Sequence, residues 1–109
     1  MTADKNIRDI ILKMVDKIVR EYQPDKVILF GSYAYGKPDE DSDVDLLIIK
    51  DTDKRPIDRW MEVKKLLRDT ARVLPVAPLV YTKKEVEDRT AIKDFFLKEV
   101  FDKGEILYG

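Results

Sequence analysis

Val27-Ile28-Leu29-Phe30-Gly31-Ser32 and, after ten intervening residues, Asp43-Val44-Asp45-Leu46-Leu47-Ile48-Ile49 decide how this chain folds. The first stretch opens with an unbroken apolar run, which suits a strand buried on both faces. Gly31 lets the backbone turn sharply where that strand ends. The second stretch predicts another strand over Asp43–Lys50, with Val44, Leu46, Leu47, Ile48 and Ile49 as its apolar body. Asp43 and Asp45 are two apart, so on a strand both point to one face, with Cβ atoms roughly 7 Å apart. Val44 and Leu46 point the other way and anchor the strand. If Ser32 opens a helical turn, the free N–H groups of that turn face a phosphate. Two carboxylates beside a phosphate cradle are the equipment of nucleotidyl or phosphoryl transfer. Two metal ions about 3.5–4 Å apart could be shared between them.

On either side of this centre the pattern alternates between helix and strand, which predicts an α/β chain. Ile7, Ile10, Ile11, Met14, Ile18 and Tyr22 recur at helical spacing. Gln23-Pro24 ends that helix, because a residue before proline avoids the helical region. Gly31 to Ser42 reads as a loop. Pro56 starts the next helix, where its missing N–H costs nothing. Ile57, Trp60, Val63, Leu67, Ala71 and Leu74 then form a single apolar stripe, with Trp60 read as core packing. Lys64, Lys65, Arg68 and Arg72 lie off that stripe as a solvated face. Pro75 to Tyr81 predicts a third strand. Pro78 cannot donate to a ladder, so this strand starts late, bulges or lies at an edge. Short helices over Lys83–Asp88 and Ala91–Phe101 and a strand at Ile106–Tyr108 complete the pattern.

Composition limits the chemistry. The chain has 109 residues, 44% of them hydrophobic, which predicts one domain over 1–109 with an ordinary core. Cysteine and histidine are both absent. That removes thiol nucleophiles, imidazole acid–base chemistry and zinc sites built on those ligands, so any metal must be held by oxygen. Oxygen ligands select hard cations such as Mg²⁺, Mn²⁺ or Ca²⁺. With 21 basic and 22 acidic residues the net charge is −1, which gives no general attraction to nucleic acid. There is no bilayer-length apolar run and no signal-peptide pattern, so a cytoplasmic protein is expected.

Two rival motifs fail. Gly31 to Lys37 fits G-x-x-x-x-G-K after a strand, but the position that must carry a hydroxyl for Mg²⁺ is Pro38. Asp39, Asp41, Asp43 and Asp45 imitate the start of a calcium loop. Its required glycine and glutamate positions hold Val44 and Lys50.

Gly31-Ser32-Tyr33-Ala34-Tyr35-Gly36 followed by Ser42-Asp43-Val44-Asp45-Leu46 resembles the minimal nucleotidyltransferases of the DNA polymerase β superfamily. The two long helices and the Lys103-Gly104-Glu105-Ile106-Leu107-Tyr108 end are similar as well. The resemblance implies a polymerase β-like α/β (α+β) fold, with a small mixed sheet flanked by helices. It implies that Gly31 and Ser32 hold the triphosphate of ATP and that Asp43 and Asp45 bind two Mg²⁺ (or Mn²⁺) ions. One ion would clamp the triphosphate, and the other would activate an acceptor hydroxyl for attack on the α-phosphorus. It further implies a helical HEPN-type ribonuclease toxin as partner, with this chain as the antitoxin that transfers AMP to a toxin tyrosine, in a homo- or hetero-oligomer. The sequence departs from the family in two ways. The usual third carboxylate, on the strand after the long helix, falls by register at Ala77, with Pro78 the adjacent alternative. Tyr33 and Tyr35 stand where arginine is common. The first departure leaves open a second reading: a catalytically impaired, partner-binding antitoxin module that keeps the fold. Lys37 is the basic residue nearest the triphosphate in sequence.

Overall fold

The computed structural model describes residues 2–109, with side chains from residue 6 onward. Helix α1 (Thr2–Tyr22) leads into strand β1 (Lys26–Phe30), a one-turn helix α2 (Ser32–Tyr35) and strand β2 (Val44–Ile49). Helices α3 (Pro56–Leu66) and α4 (Arg68–Val73) precede strand β3 (Val76–Tyr81). Helices α5 (Lys83–Ala91) and α6 (Phe95–Lys103) lead to strand β4 (Glu105–Tyr108). The four strands form one mixed sheet in the order β3-β2-β1-β4. β1 pairs antiparallel with β2 and β4, and β2 pairs parallel with β3. This is the small mixed sheet flanked by helices that the resemblance implies.

Strand alternation divides the core between the two faces of the sheet. Val27, Leu29, Val44, Leu46, Ile48, Val76 and Val80 pack with the apolar side of α1 and with Val63 and Leu67. Ile28, Phe30 and Leu47 pack on the opposite face against Leu97 and Val100 of α6. β1 and β2 are therefore buried on both faces, as their continuous apolar runs require. α1 stops at Gln23, which takes the left-handed conformation (φ 55°) directly before Pro24. Lys50 Nζ then donates to the Tyr22 carbonyl at 2.6 Å and covers one of the open carbonyls at that helix end.

β3 lies at the sheet edge and runs its full length without a bulge. The Pro75 and Tyr81 carbonyls accept from β2-side N–H groups, so the alternate groups at Val76, Pro78 and Val80 point away from the sheet. Pro78 is tolerated because its nitrogen faces outward. The outward carbonyls of Val76 and Val80 receive Lys64 Nζ at 3.4 Å and Arg59 Nη1 at 3.3 Å, both from α3.

That arrangement corrects the stripe expected for the long helix. Arg59 is buried, with 5% of its surface exposed, whereas Ile57 and Trp60 are 53% and 41% exposed. The helix turns Arg59 inward because the β3 edge and Glu85 supply acceptors there. The expected continuous helix also breaks at Leu67 into α3 and α4. Val63, Leu67 and Leu74 are buried as expected, and Lys64 lies over the Trp60 ring. Lys65, Arg68 and Arg72 are exposed, as a solvated face requires.

The C-terminal helices are displaced from their expected limits. Lys93, with φ 59°, separates α5 from α6, and the Asp94 side chain caps α6 by accepting from the Leu97 N–H at 3.1 Å. Phe95 is 82% exposed, and Leu97 and Val100 form the core contacts instead. Gly104 follows α6 so closely against β1 that a methyl there would collide with the Ile28 side chain and the Val100 carbonyl.

Candidate functional site

β1 ends at Phe30, which pairs with Asp45 on β2. Gly31 comes next, in the left-handed region at φ 74°. Its α-carbon lies against the Asp45 side chain, and a methyl on Gly31 would occupy the position of Asp45 Oδ2. Glycine is needed here twice over, for its backbone angle and for the space it leaves to the carboxylate. The Gly31 carbonyl accepts from the Ala34 and Tyr35 N–H groups at 3.0 Å, so a single helical turn starts at Ser32. Gly36 closes that turn at φ 86° by donating its N–H to the Ser32 carbonyl at 3.0 Å. The segment expected as a loop over Gly31–Ser42 thus begins with a helical turn, whose first N–H groups have no carbonyl one turn earlier to bond.

Asp43 is exposed and Asp45 is half-buried. Leu47, two residues after Asp45, packs on the α6 face of the sheet, so both carboxylates project to that face at its Gly31 end. Among the described residues, no cationic side chain forms an ion pair with either of them. Burial, and then the neighbouring Asp43 charge, pushes the Asp45 carboxyl above its ordinary range. Two close oxygen-ligand groups with no counter-charge fit one hard divalent cation, which would relieve both causes of that shift.

A second ion fits less well. Asp45 is in register with Phe30 on β1 and with Ala77 on β3. Among the described residues no three acidic side chains are grouped to hold a metal. Leu79 and Tyr81 pack on the face that Leu47 shares, which places Ala77 on the carboxylate face and Pro78 on the other. The third-ligand position therefore belongs to Ala77.

The loop before Asp43 is more ordered than its composition suggests. Asp39 and Ser42 close it reciprocally. The Asp39 N–H donates to Ser42 Oγ at 2.9 Å, Ser42 Oγ donates to Asp39 Oδ1 at 3.2 Å, and the Asp41 N–H donates to Asp39 Oδ1 at 2.9 Å. Sequence reasoning missed these two positioning residues. The signal was Asp and Ser at a spacing that suits side-chain-closed turns. Tyr33 packs against the core and its hydroxyl donates to the Ser42 carbonyl at 3.5 Å, which ties α2 to the same loop. Burial, followed by the Asp39 and Asp43 charges, raises that phenol, so it remains a donor. Tyr35 and Lys37 are exposed, and Lys37 forms no ion pair among the described residues.

The family model described as "Nucleotidyltransferase domain" matches residues 11–105, which include β1, β2, β3 and both carboxylates. This chain belongs to the nucleotidyltransferase domain family. It is 33% identical over 102 residues to a Methanocaldococcus jannaschii protein named "Putative protein adenylyltransferase", covering 89% of this chain and 86% of that one. A second protein of that name from the same organism is 28% identical over 88 residues, covering 81% and 86%. A crystal structure titled as a "putative nucleotidyltransferase" from Sulfolobus solfataricus superposes with a TM-score of 0.61 at 22% identity, covering 81% of this chain and 77% of that one. At that identity the likeness speaks for the fold. The nucleotidyltransferase is thus a member of the polymerase β superfamily group that its Gly-Ser and Asp-x-Asp residues resemble. Among the described residues, no helix is long and apolar enough to cross a membrane.

Proposed function

We propose that this nucleotidyltransferase binds ATP with Mg²⁺ or Mn²⁺ and transfers AMP to an acceptor hydroxyl on a partner protein, in the cytoplasm. The observation that carries this reading is that the Asp45 side chain lies directly against Gly31, with neither Asp43 nor Asp45 in an ion pair among the described residues. Gly31 and Ser32 would hold the triphosphate through the open N–H groups of α2, and the absent side chain at Gly31 leaves room beside Asp45. A divalent cation held by Asp43 and Asp45 supplies charge neutralisation for the triphosphate when bound. In the transfer, the acceptor oxygen bonds to the α-phosphorus and the α–β bridging P–O bond breaks. Pyrophosphate leaves with the electron pair, and the acceptor proton is released. Two things support a protein acceptor. Relatives carry the name "Putative protein adenylyltransferase", and the resemblance points to a HEPN-type toxin whose tyrosine takes the AMP.

A second reading rests on Ala77. With no carboxylate there to receive the acceptor proton, the chain would serve as a catalytically impaired, partner-binding antitoxin module that still binds nucleotide. Incubation with α-labelled ATP and Mg²⁺, alone and with the product of the adjacent gene, separates the two. Label on the partner, lost in the Asp43→Asn/Asp45→Asn double variant, is expected. Nucleotide binding without label on either chain would favour the second reading. Strong labelling of the chain alone would contradict a partner-supplied acceptor.

A further inference from the structure

We infer that the nucleotide complex of this chain holds a single divalent cation, because the position of Ala77 offers no oxygen ligand for a second ion. The inference rests on the nucleotide-binding reading above and concerns the stoichiometry of that same site. It starts from the neighbours of Asp45. Side chains in register across a sheet lie side by side on one face. On the β1 side the neighbour is Phe30, and on the β3 side it is Ala77. Neither offers an oxygen. Along β2, the next side chain on that face is Leu47 in one direction and Asp43 in the other. Of these four described neighbours of Asp45, Asp43 alone carries a carboxylate.

Mg²⁺ demands near-octahedral coordination and is commonly held by one or two carboxylates, with substrate phosphates and water completing the shell. Asp43, Asp45 and a triphosphate satisfy that description for one ion. A second ion about 3.5–4 Å away, as in two-metal displacement sites, needs its own protein oxygen on the far side of the shared carboxylate. The β3 neighbour occupies that direction. Ala77 is half-buried, not sealed in the core, so an aspartate there would reach the Asp45 carboxylate without being buried among apolar groups. Pro78 is buried on the opposite face and cannot substitute for it.

The test uses the full chain with Mn²⁺ and the non-hydrolysable α,β-methylene analogue of ATP, read by electron paramagnetic resonance. Two Mn²⁺ ions sharing a carboxylate couple magnetically, and an isolated ion does not. The wild type is expected to give the spectrum of one isolated, protein-bound ion. Ala77→Asp should acquire the coupled two-ion signal, and Pro78→Asp should not. A coupled pair in the wild type would overturn the inference whether or not either variant folds. A single ion in folded Ala77→Asp would overturn the assignment to that position. If the wild type binds no Mn²⁺ beyond that of the free nucleotide complex, and the Asp43→Asn/Asp45→Asn double variant behaves identically, the nucleotide-binding reading itself falls.

Discussion

Gly31 and Asp45 share one space: the hydrogen on the Gly31 α-carbon faces the Asp45 carboxylate, and any larger group there would displace it. Gly31→Ala should therefore act in two ways. The left-handed backbone at φ 74° becomes strained, at about 1–3 kcal/mol, and Asp45 must move away from the site. Gly36→Ala is the comparison. It also has a positive φ, 86°, but lies in the αL region at ψ 16° where Gly31 has ψ −160°, so its backbone strain should be the smaller. Nothing lies within 4 Å of the added methyl. Both variants should lose stability in urea unfolding. Only Gly31→Ala should also lose metal-dependent nucleotide binding, by at least about ten-fold, or about 1.4 kcal/mol. Equal nucleotide affinity in the two variants would show that the contact with Asp45 does not matter.

The metal-free site is electrostatically uncomfortable, and the sign of its pH dependence follows. The Asp45 carboxyl is raised by burial and by Asp43, so the fold favours its protonated form. Its contribution to stability is present below the unfolded carboxylate pKa and is lost as pH rises through the raised value. Asp45→Asn should thus be more stable than wild type at neutral pH in chelator, by on the order of 0.5 kcal/mol for a partly exposed group. That advantage should shrink as the solution is acidified. Saturating Mn²⁺ with nucleotide should reverse the order, because only the wild type gains from binding. Thermal melts at neutral and acidic pH, with and without metal, would check all three.

How much of this could be read from the residues alone depended on whether the deciding partner was local. β1 and β2 were legible because their apolar runs are dictated by burial on two faces. The closeness of Gly31 to Asp45 was legible because each sits at a strand end and those two strands pair. Trp60 was misplaced because helical spacing alone cannot weigh Arg59, which is turned inward by acceptors from β3 and α5 that lie at least twenty residues away in sequence. Register gave a similar difficulty. Ala77 and Pro78 were alternatives until parallel pairing with Asp45 fixed which of them faces the carboxylates. The Asp39–Ser42 closure lay in a segment whose acidic composition read as plain loop.

Arg59 supplies the next prediction. Its guanidinium donates to the Lys54 carbonyl at 2.7 Å, to the Val80 carbonyl and to Glu85 at 2.7 Å. Glu85 in turn accepts from the Thr82 N–H at 2.8 Å and so caps α5. Burial alone would raise the Glu85 carboxyl. The hydrogen bonds and charge from Arg59, with those of Thr82, hold it below its usual range instead. Arg59→Leu leaves these acceptors unpaired and should cost about 2–4 kcal/mol. Glu85→Gln keeps the cap and the Val80 bond and should cost about 1 kcal/mol. With its pKa lowered in the fold, Glu85 stabilises above the unfolded carboxylate pKa, and that share is lost as pH falls through the lowered value. Urea titrations should show the acid loss blunted in Glu85→Gln. An unchanged acid limb would remove Glu85 as its source.

Ser42 tests whether the loop before β2 positions Asp43 or merely connects to it. Ser42 Oγ both accepts from the Asp39 N–H and donates to the Asp39 carboxylate, so its loss opens both ends of the closure at once. The loop is exposed, so the freed groups turn to water and the folding cost of Ser42→Ala should stay within about 1 kcal/mol. Metal binding has no such compensation. Asp43 follows Ser42 directly, and a carboxylate that must be re-ordered on binding pays conformational entropy that the closed loop spares it. Mn²⁺ affinity in the presence of the ATP analogue should fall about ten-fold, within the range seen when groups that orient metal ligands are removed. Ser42→Thr keeps the hydroxyl and should restore most of it. Asp41→Ala removes a nearby charge without opening the closure, because Asp41 contributes only its backbone N–H there. Its effect should be small and screened by salt, whereas that of Ser42→Ala should persist at high ionic strength. Loss of affinity in Asp41→Ala as large as in Ser42→Ala would mean that the loop acts through its charge and not through its closure.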